Sequence, residues 1–274
     1  MPFHDIACVF SGGGAKAAAH VGAYRALTGH GLVPTRYVGT SMGAVIGACF
    51  AAGQSYQDVL GRIVRLVRSD VARPSGSLVR GPWAGSLLSG STLRETIAEL
   101  VGVDRFEDLS LPLTVTATDA STGELALFGD GGRVRVSLID ALYASCALPV
   151  YYPPGLVDDR EYLDGGLRSA LPLDVAFASD PDLVVAVSVG PSRFGETRSG
   201  DGHSLIAAHN RAMRLQMAVQ TEAEIARWQD ADTPLLLVRP RRRSRATFAM
   251  ADVVSYVEEG FRATTKAIAA AGLS

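Results

Sequence analysis

The chain alternates short apolar runs with longer stretches of helical spacing. Residues 6–10, Ile-Ala-Cys-Val-Phe, are uniformly apolar and stop at Ser11-Gly12-Gly13-Gly14. A short apolar run bounded by turn residues predicts a buried strand, and the stretch after the glycines predicts a helix to about Leu27. The pattern then repeats, with a strand expected over 37–40, a glycine-containing turn, and a helix over 42–52. Two strand–turn–helix units in succession predict an α/β fold with a mainly parallel sheet and helices on its faces.

Helices are expected at 56–67 and 92–101, separated by a Gly-, Ser- and Pro-rich stretch, 68–90, that reads as a long loop. Residues 113–118, 125–128 and 133–136 alternate as strands. A helix is expected at 140–147, stopping before Pro149. Asp158-Asp159 predicts a turn between two short strands, the second reaching Leu163. The near-continuous apolar run 183–189 has the character of a central strand. A long helix over 203–228, a strand over 235–238 and a closing helix over 250–271 complete the pattern. No repeat or linker divides it, so a single domain over 1–274 is expected.

Composition narrows the picture. Hydrophobic residues make up 47% of the 274 and aromatics only 7%, which predicts an aliphatic core. A chain of this length buries a sizeable core without disulfides or metals. A net charge of −2 argues against nucleic acid as a partner. Cys8, Cys49 and Cys146 lie in apolar surroundings without ligand spacing, so no metal site is expected and the thiols read as buried and reduced. That points to a reducing, cytoplasmic setting. No basic residue precedes the first apolar run, so no signal peptide is expected. The apolar stretch 44–53 is too short to span a bilayer. Any membrane contact is therefore expected to be peripheral.

The chemistry concentrates in the two glycine turns. Gly39-Thr40-Ser41-Met42-Gly43 fits the G-x-S-x-G elbow, which sets a serine on a sharp turn between strand and helix. Ser41 reads either as that nucleophile or as a plain helix N-cap. The first turn offers backbone N–H groups at a helix start, suited to an oxyanion or a phosphate. Gly12-Gly13-Gly14-Ala15-Lys16-Ala17 also fits the dinucleotide fingerprint. That fingerprint requires an acidic residue about 20 positions on, and none occurs between Asp5 and Asp58. A nucleophile in one turn and charge stabilisation in the other together point to acyl transfer.

A serine nucleophile needs a base. His4, His20, His30, His203 and His209 occupy no late glycine-rich loop, and read as structural or surface residues. Asp164, in Tyr162-Leu163-Asp164-Gly165-Gly166, ends a strand-like segment. It is the better candidate, although alone it reads rather as a plain turn aspartate. The strongest local charge is the run holding Arg239, Arg241, Arg242, Arg243 and Arg245. It reads as a solvated loop or as a patch for anionic headgroups. Trp83, Leu87 and Leu88 would touch lipid, cover the site or pack beneath their loop.

Taken together these residues resemble the patatin-like phospholipase family. The resemblance rests on Gly12-Gly13-Gly14-Ala15-Lys16, Gly39-Thr40-Ser41-Met42-Gly43 and Asp164-Gly165-Gly166, in family order. Ala117-Thr118-Asp119-Ala120-Ser121-Thr122-Gly123-Glu124 and Ala144-Ser145-Cys146-Ala147-Leu148-Pro149 add to it, so that it spans about residues 6–175. Ala17 replaces a usual glycine, which adds only a methyl. Ser169 or Ala170 stands where an asparagine often follows, a change expected to loosen the aspartate loop. The resemblance implies a three-layer α/β/α fold and a Ser41–Asp164 dyad without histidine or cofactor. It further implies an oxyanion hole from the N–H groups of Gly12, Gly13 and Gly14 with that of Met42, and hydrolysis of acyl esters in phospholipids or other lipids. A hydrolase of soluble short esters or thioesters, and a non-catalytic lipid- or protein-binding member, are the competing readings.

Overall fold

The computed structural model describes residues 3–68, 86–190, 204–240 and 253–273. Trp83, His203, residues 250–252, most of the expected loop 68–90, and Arg241, Arg242, Arg243 and Arg245 lie outside them. The strands are β1 (Ile6–Phe10), β2 (Arg36–Thr40), β3 (Leu113–Asp119), β4 (Leu125–Gly129), β5 (Gly155–Val157), β6 (Arg160–Asp164), β7 (Leu183–Val187) and β8 (Leu235–Val238). The helices are α1 (Ala18–Gly29), α2 (Met42–Ala51), α3 (Tyr56–Arg68), α4 (Gly90–Val101), α5 (Leu138–Cys146), α6 (Leu173–Phe177), α7 (Leu205–Trp228) and α8 (Val253–Ala270).

The strands form one eight-stranded sheet. Strands β3, β2, β1, β7 and β8 are mutually parallel, which agrees with the mainly parallel sheet predicted by the two strand–turn–helix units. Strands β4, β5 and β6 join antiparallel, so the sheet is mixed. Alternation along β1 divides the core between the two faces. Cys8 and Phe10 pack with residues of α1, α2, α4, α5 and α8. Ala7 and Val9 pack with Leu171, Leu173, Phe177 and Ile225, so α6 and α7 cover the opposite face. The result is the expected α/β/α arrangement.

One feature of the register positions the site. Residues 114–116 pair with β2 and with β4, so those two strands lie on opposite edges of β3. Ala117 and Thr118 pair with β4 and with β6, which places β6 opposite β4 as well. Hence β2 and β6 share one edge of β3, end to end and running toward each other. Strand β2 finishes with Thr40 opposite Thr116, and β6 finishes with Asp164 opposite Ala117. The carboxyl ends of two strands therefore meet at one point.

One local expectation changes, and one short helix was not expected. Residues 133–136 do not form a strand: Arg133 makes a single bridge to Phe128, and the chain then bends away. The glycine turn before it, with Gly129 and Gly131 at positive φ, returns the chain for one exchange only, Gly129 N–H to Arg133 O and Arg133 N–H to Leu127 O. The segment must then reach the Ser137 cap of α5, whose hydroxyl accepts from Asp140 N–H. Helix α6 carries no helical spacing in sequence, because Leu171, Leu173, Val175 and Phe177 alternate like a strand. The expected turn at Asp158-Asp159 is present, with both residues at positive φ as a two-residue hairpin requires.

Candidate active site

Ser41 follows β2 and caps α2 at φ 55°, ψ −136°. A serine held there is strained, and surrounding packing must enforce it. Two glycines make the elbow possible. A Cβ at Gly39 would sit 2.5 Å from Ala44 Cα, and one at Gly43 would collide with the carbonyl oxygens of Phe10 and Ser11. The Ser41 N–H donates to Ser145 Oγ at 2.7 Å, which fixes the peptide behind the elbow serine. Thr40 Oγ1 lies 2.7 Å from Thr116 Oγ1 and donates to Ser169 O at 2.9 Å.

Ser41 Oγ donates to Asp164 Oδ2 at 2.8 Å. The other carboxylate oxygen, Oδ1, accepts from Gly166 N–H at 2.8 Å. Asp164 is only 4% exposed. Burial disfavours its charged form and pushes its pKa up to about 6, against the pull of the Gly166 and Ser41 hydrogen bonds. An ionised carboxylate with that proton affinity is a serviceable base at neutral pH. No histidine among the described residues touches Ser41. His20 is fully buried, stacks on Phe10 and donates Nε2–H to Ser11 O at 2.9 Å. Burial lowers its pKa to about 4, so it is a neutral support beneath the glycine turn.

The glycine turn projects from the end of β1. Gly12 N–H is engaged by Ala170 O at 3.0 Å. The N–H groups of Gly13, Gly14 and Met42 take no acceptor among the described residues. Gly13 is required by close approach, since a Cβ there would sit 2.6 Å from Val189 Cγ2. Residues 169–173 act as a bracket between these parts. Ser169 O holds Thr40, Ala170 O holds Gly12, and Leu173 N–H donates to Glu224 Oε2 of α7 at 3.1 Å. Backbone carbonyls thus tie down the loop that lacks the expected asparagine. Glu224 is 8% exposed, and burial raises its pKa to about 7.

Ser41, Asp164 and the glycine turn open on a cavity of about 230 Å³. One side of it is aliphatic, built from Ile46, Ile63, Leu66, Leu93 and Leu100. The other side is formed by α7 through Asn210, Met213, Arg214 and Met217. Lys16 lines the same cavity. Cys146 lines it too, with a thiol that burial pushes far above its ordinary range. Cys8 and Cys49 are likewise buried and unpaired in disulfides. Among the described residues no group of His, Cys, Asp and Glu could hold a metal ion. No described helix is long and apolar enough to cross a membrane.

Of the predicted site residues, the structure brings together Ser41, Asp164, Gly12, Gly13, Gly14 and Met42. Arg239 stands apart. Its guanidinium pairs with Glu222 at 2.9 Å, half-buried against α7, so it belongs to the fold and not to a free basic patch. The sequence reading assigned no task to Ser145, although it noted the stretch around it. It missed Glu224, which no motif marks.

Fold and site together define an α/β protein with a serine at a strand–helix elbow paired to a buried aspartate. The family model "Patatin-like phospholipase" matches residues 8–177. The chain belongs to the patatin-like phospholipase family. It is 30% identical over 215 residues to an uncharacterized NTE family protein of Mycobacterium tuberculosis, covering 78% of this chain and 57% of that protein. It is 31% identical over 204 residues to patatin-like phospholipase domain-containing protein 7 of Rattus norvegicus, covering 71% of this chain and 15% of that protein. The chain therefore spans little more than half of one relative and a small part of the other. In fold it is similar to VipD from Legionella pneumophila, with a TM-score of 0.54 at 14% identity over 98% of this chain and 67% of that one.

Proposed function

We propose that this protein is a serine acyl hydrolase that cleaves carboxylic ester bonds of phospholipids or other lipids. The observation that carries the reading is the 2.8 Å hydrogen bond from Ser41 Oγ to a buried Asp164 beside an aliphatic cavity. Asp164 takes the Ser41 proton as Oγ attacks the ester carbonyl. The oxyanion is met by the N–H groups of Gly13, Gly14 and Met42, since Gly12 N–H is already engaged. Collapse expels the alcohol, which leaves with the proton from Asp164. Water, deprotonated by the same carboxylate, then releases the fatty acid from Ser41.

The aliphatic wall favours lipid over a short soluble ester. Leu93 and Leu100 lie seven residues apart on α4, so the wall runs about 10 Å along that helix. A short acyl group would leave most of this surface uncovered. Mass spectrometry of products from a total lipid extract tests the reading, wild type against Ser41→Ala. Fatty acid and the deacylated lipid should form only with wild type. Turnover of short esters or thioesters with no lipid product would favour the soluble-ester reading.

A further inference from the structure

Helix α7 is built unlike α3 and α4. In α3 and α4 the exposed positions are mainly polar: Gln57, Asp58 and Arg65 on one, Arg94, Glu95 and Glu99 on the other. That is the usual pattern of a surface helix. In α7 the residues Leu205, Ala208, Ala212, Leu215, Val219 and Ala223 recur every three or four positions, and all are exposed. Leu205 is 90% exposed, Val219 50% and Leu215 40%. No residue of the helix before Ala218 is buried. The opposite face carries Asn210, Met213, Arg214 and Met217, which line the cavity holding Ser41. At 3.6 residues per turn the two sets point in opposite directions. The helix is therefore apolar toward solvent while roofing the site with its other side.

Its charge is equally one-sided. Residues 205–221 contain Arg211 and Arg214 and no Asp or Glu. The first acidic residue, Glu222, is paired with Arg239. We propose that the exposed face of α7 is the surface on which this protein docks to an anionic lipid membrane. The apolar stripe would lie among the headgroups, with Arg211 at its flank meeting lipid phosphates. A continuous apolar face with only cationic charge over residues 205–221 suits that interface. A protein surface of complementary charge would need no continuous aliphatic stripe on the helix that walls the cavity. Docking there places the cavity one helix diameter, roughly 10 Å, from the lipid, on the far side of α7. The inference rests on the lipid-hydrolase reading and relocates the membrane contact from the arginine run to α7.

The test compares wild type with the double variant Leu215→Glu, Val219→Glu. Neither residue lines the cavity or touches the dyad, and both side chains are exposed, so the fold should be unaffected. Circular dichroism and hydrolysis of a soluble short-chain ester check this. Vesicles of phosphatidylcholine, alone or mixed with phosphatidylglycerol, are sedimented with each protein. Wild type should bind the mixed vesicles best, and less as salt rises. The double variant should bind at least about tenfold more weakly, since each inserted aliphatic side chain contributes roughly that factor. Its turnover of vesicle lipid should fall in parallel while soluble-ester turnover stays unchanged. Equal vesicle binding by both proteins overturns the proposal. So does a wild-type dimer that the variant converts to monomer without loss of vesicle binding, which would make the stripe a contact between copies. Hydrolysis that survives Ser41→Ala would instead overturn the enzymatic reading and leave the docking result standing.

Discussion

Asp164→Asn should separate activity from stability. The substitution keeps the shape of the side chain. The amide oxygen can still accept from Gly166 N–H, and the amide nitrogen replaces Oδ2 as a donor toward Ser41 Oγ. What is lost is a proton acceptor, so kcat should fall by about 10²–10⁴. What is gained is relief from a buried charge. The carboxyl pKa moves from 3.8 to about 6 in the folded protein. A folded pKa above the unfolded one means that folding favours the protonated acid. Wild type therefore has this contribution intact below about pH 4, and loses it as pH rises to about 6. The loss amounts to about 3 kcal/mol at neutral pH and above, an order of magnitude from 1.4 kcal/mol per unit. Asparagine cannot ionise and should not lose it. Urea unfolding of both proteins tests this at about pH 5 and pH 8. The stability difference should shift in favour of Asp164→Asn by about 1.4 kcal/mol between those conditions, because the remainder of the loss has already occurred below pH 5. A difference that is the same at both pH values would refute the claim that Asp164 is buried as an anion. In wild type, kcat/KM should rise with pH through an apparent pKa near 6, and a profile governed by a different pKa would assign the base elsewhere.

A fluorophosphonate probe should label wild type and not Ser41→Ala, and labelling that persists in the variant would discard Ser41 as nucleophile. Gly13→Val should lower kcat by about 10²–10³ through a displaced oxyanion donor, and micromolar binding of NAD or FAD by wild type in calorimetry would speak for a nucleotide turn instead. Ser145→Ala leaves Ser41 N–H without its acceptor and should destabilise the protein by about 1–3 kcal/mol in denaturant unfolding; an unchanged midpoint would show that another group takes that N–H. Replacing His4, His30 or His209 singly should keep turnover within about tenfold, less than the loss expected for a missing base, and a thousandfold loss in one folded variant would remove the dyad. Glu224→Gln should retain the contact to Leu173 N–H and most of kcat, whereas Glu224→Ala should lower kcat with little change in KM by freeing residues 169–173; equal kinetics in the two variants would leave Glu224 without a positioning role.

Much of this architecture was legible in sequence because it is local. The run at 6–10 is apolar enough to be a central strand, the shorter 37–40 reads as its neighbour, and each meets glycines that mark a turn. Residues 133–136 failed because Val134 and Val136 imitate a strand although Val134 is 48% exposed and the chain is turning toward Ser137. Helix α6 was not foreseen because its five residues are too few to show a helical period. In the site, Ser41 and Asp164 were identified from their turns, but their contact was not, since it spans 123 positions and depends on sheet register. The engagement of Gly12 N–H by Ala170 O is a backbone contact that no side-chain motif encodes. Glu224 was invisible for a related reason: a glutamate within a helix is ordinary until Leu173 N–H is seen to point at it.

On the proposed mechanism, sheet register also explains how two residues would suffice where three are common. In a Ser–His–Asp triad the histidine supplies a base near neutral pH, and the aspartate orients it. In the proposed mechanism the aspartate is the base, so it needs both a raised proton affinity and direct reach to the serine. Burial provides the first, lifting the pKa to about 6. Reach follows from β2 and β6 meeting end to end on one edge of β3, with Thr40 opposite Thr116 and Asp164 opposite Ala117. A slip of one residue in β6 would turn Asp164 to the other face of the sheet and put Leu163 or Gly165 in its place. Several contacts oppose that slip. Thr118 Oγ1 donates to Asp164 O at 3.0 Å, and Asp164 N–H donates to Ala147 O at 3.0 Å. Tyr162, two residues back, is buried against Phe128, and its hydroxyl accepts from Arg133. The tight turn at Asp158-Asp159 then fixes β6 against β5. Asp164, the proposed base, is thus held by strand pairing without a third side chain to orient it.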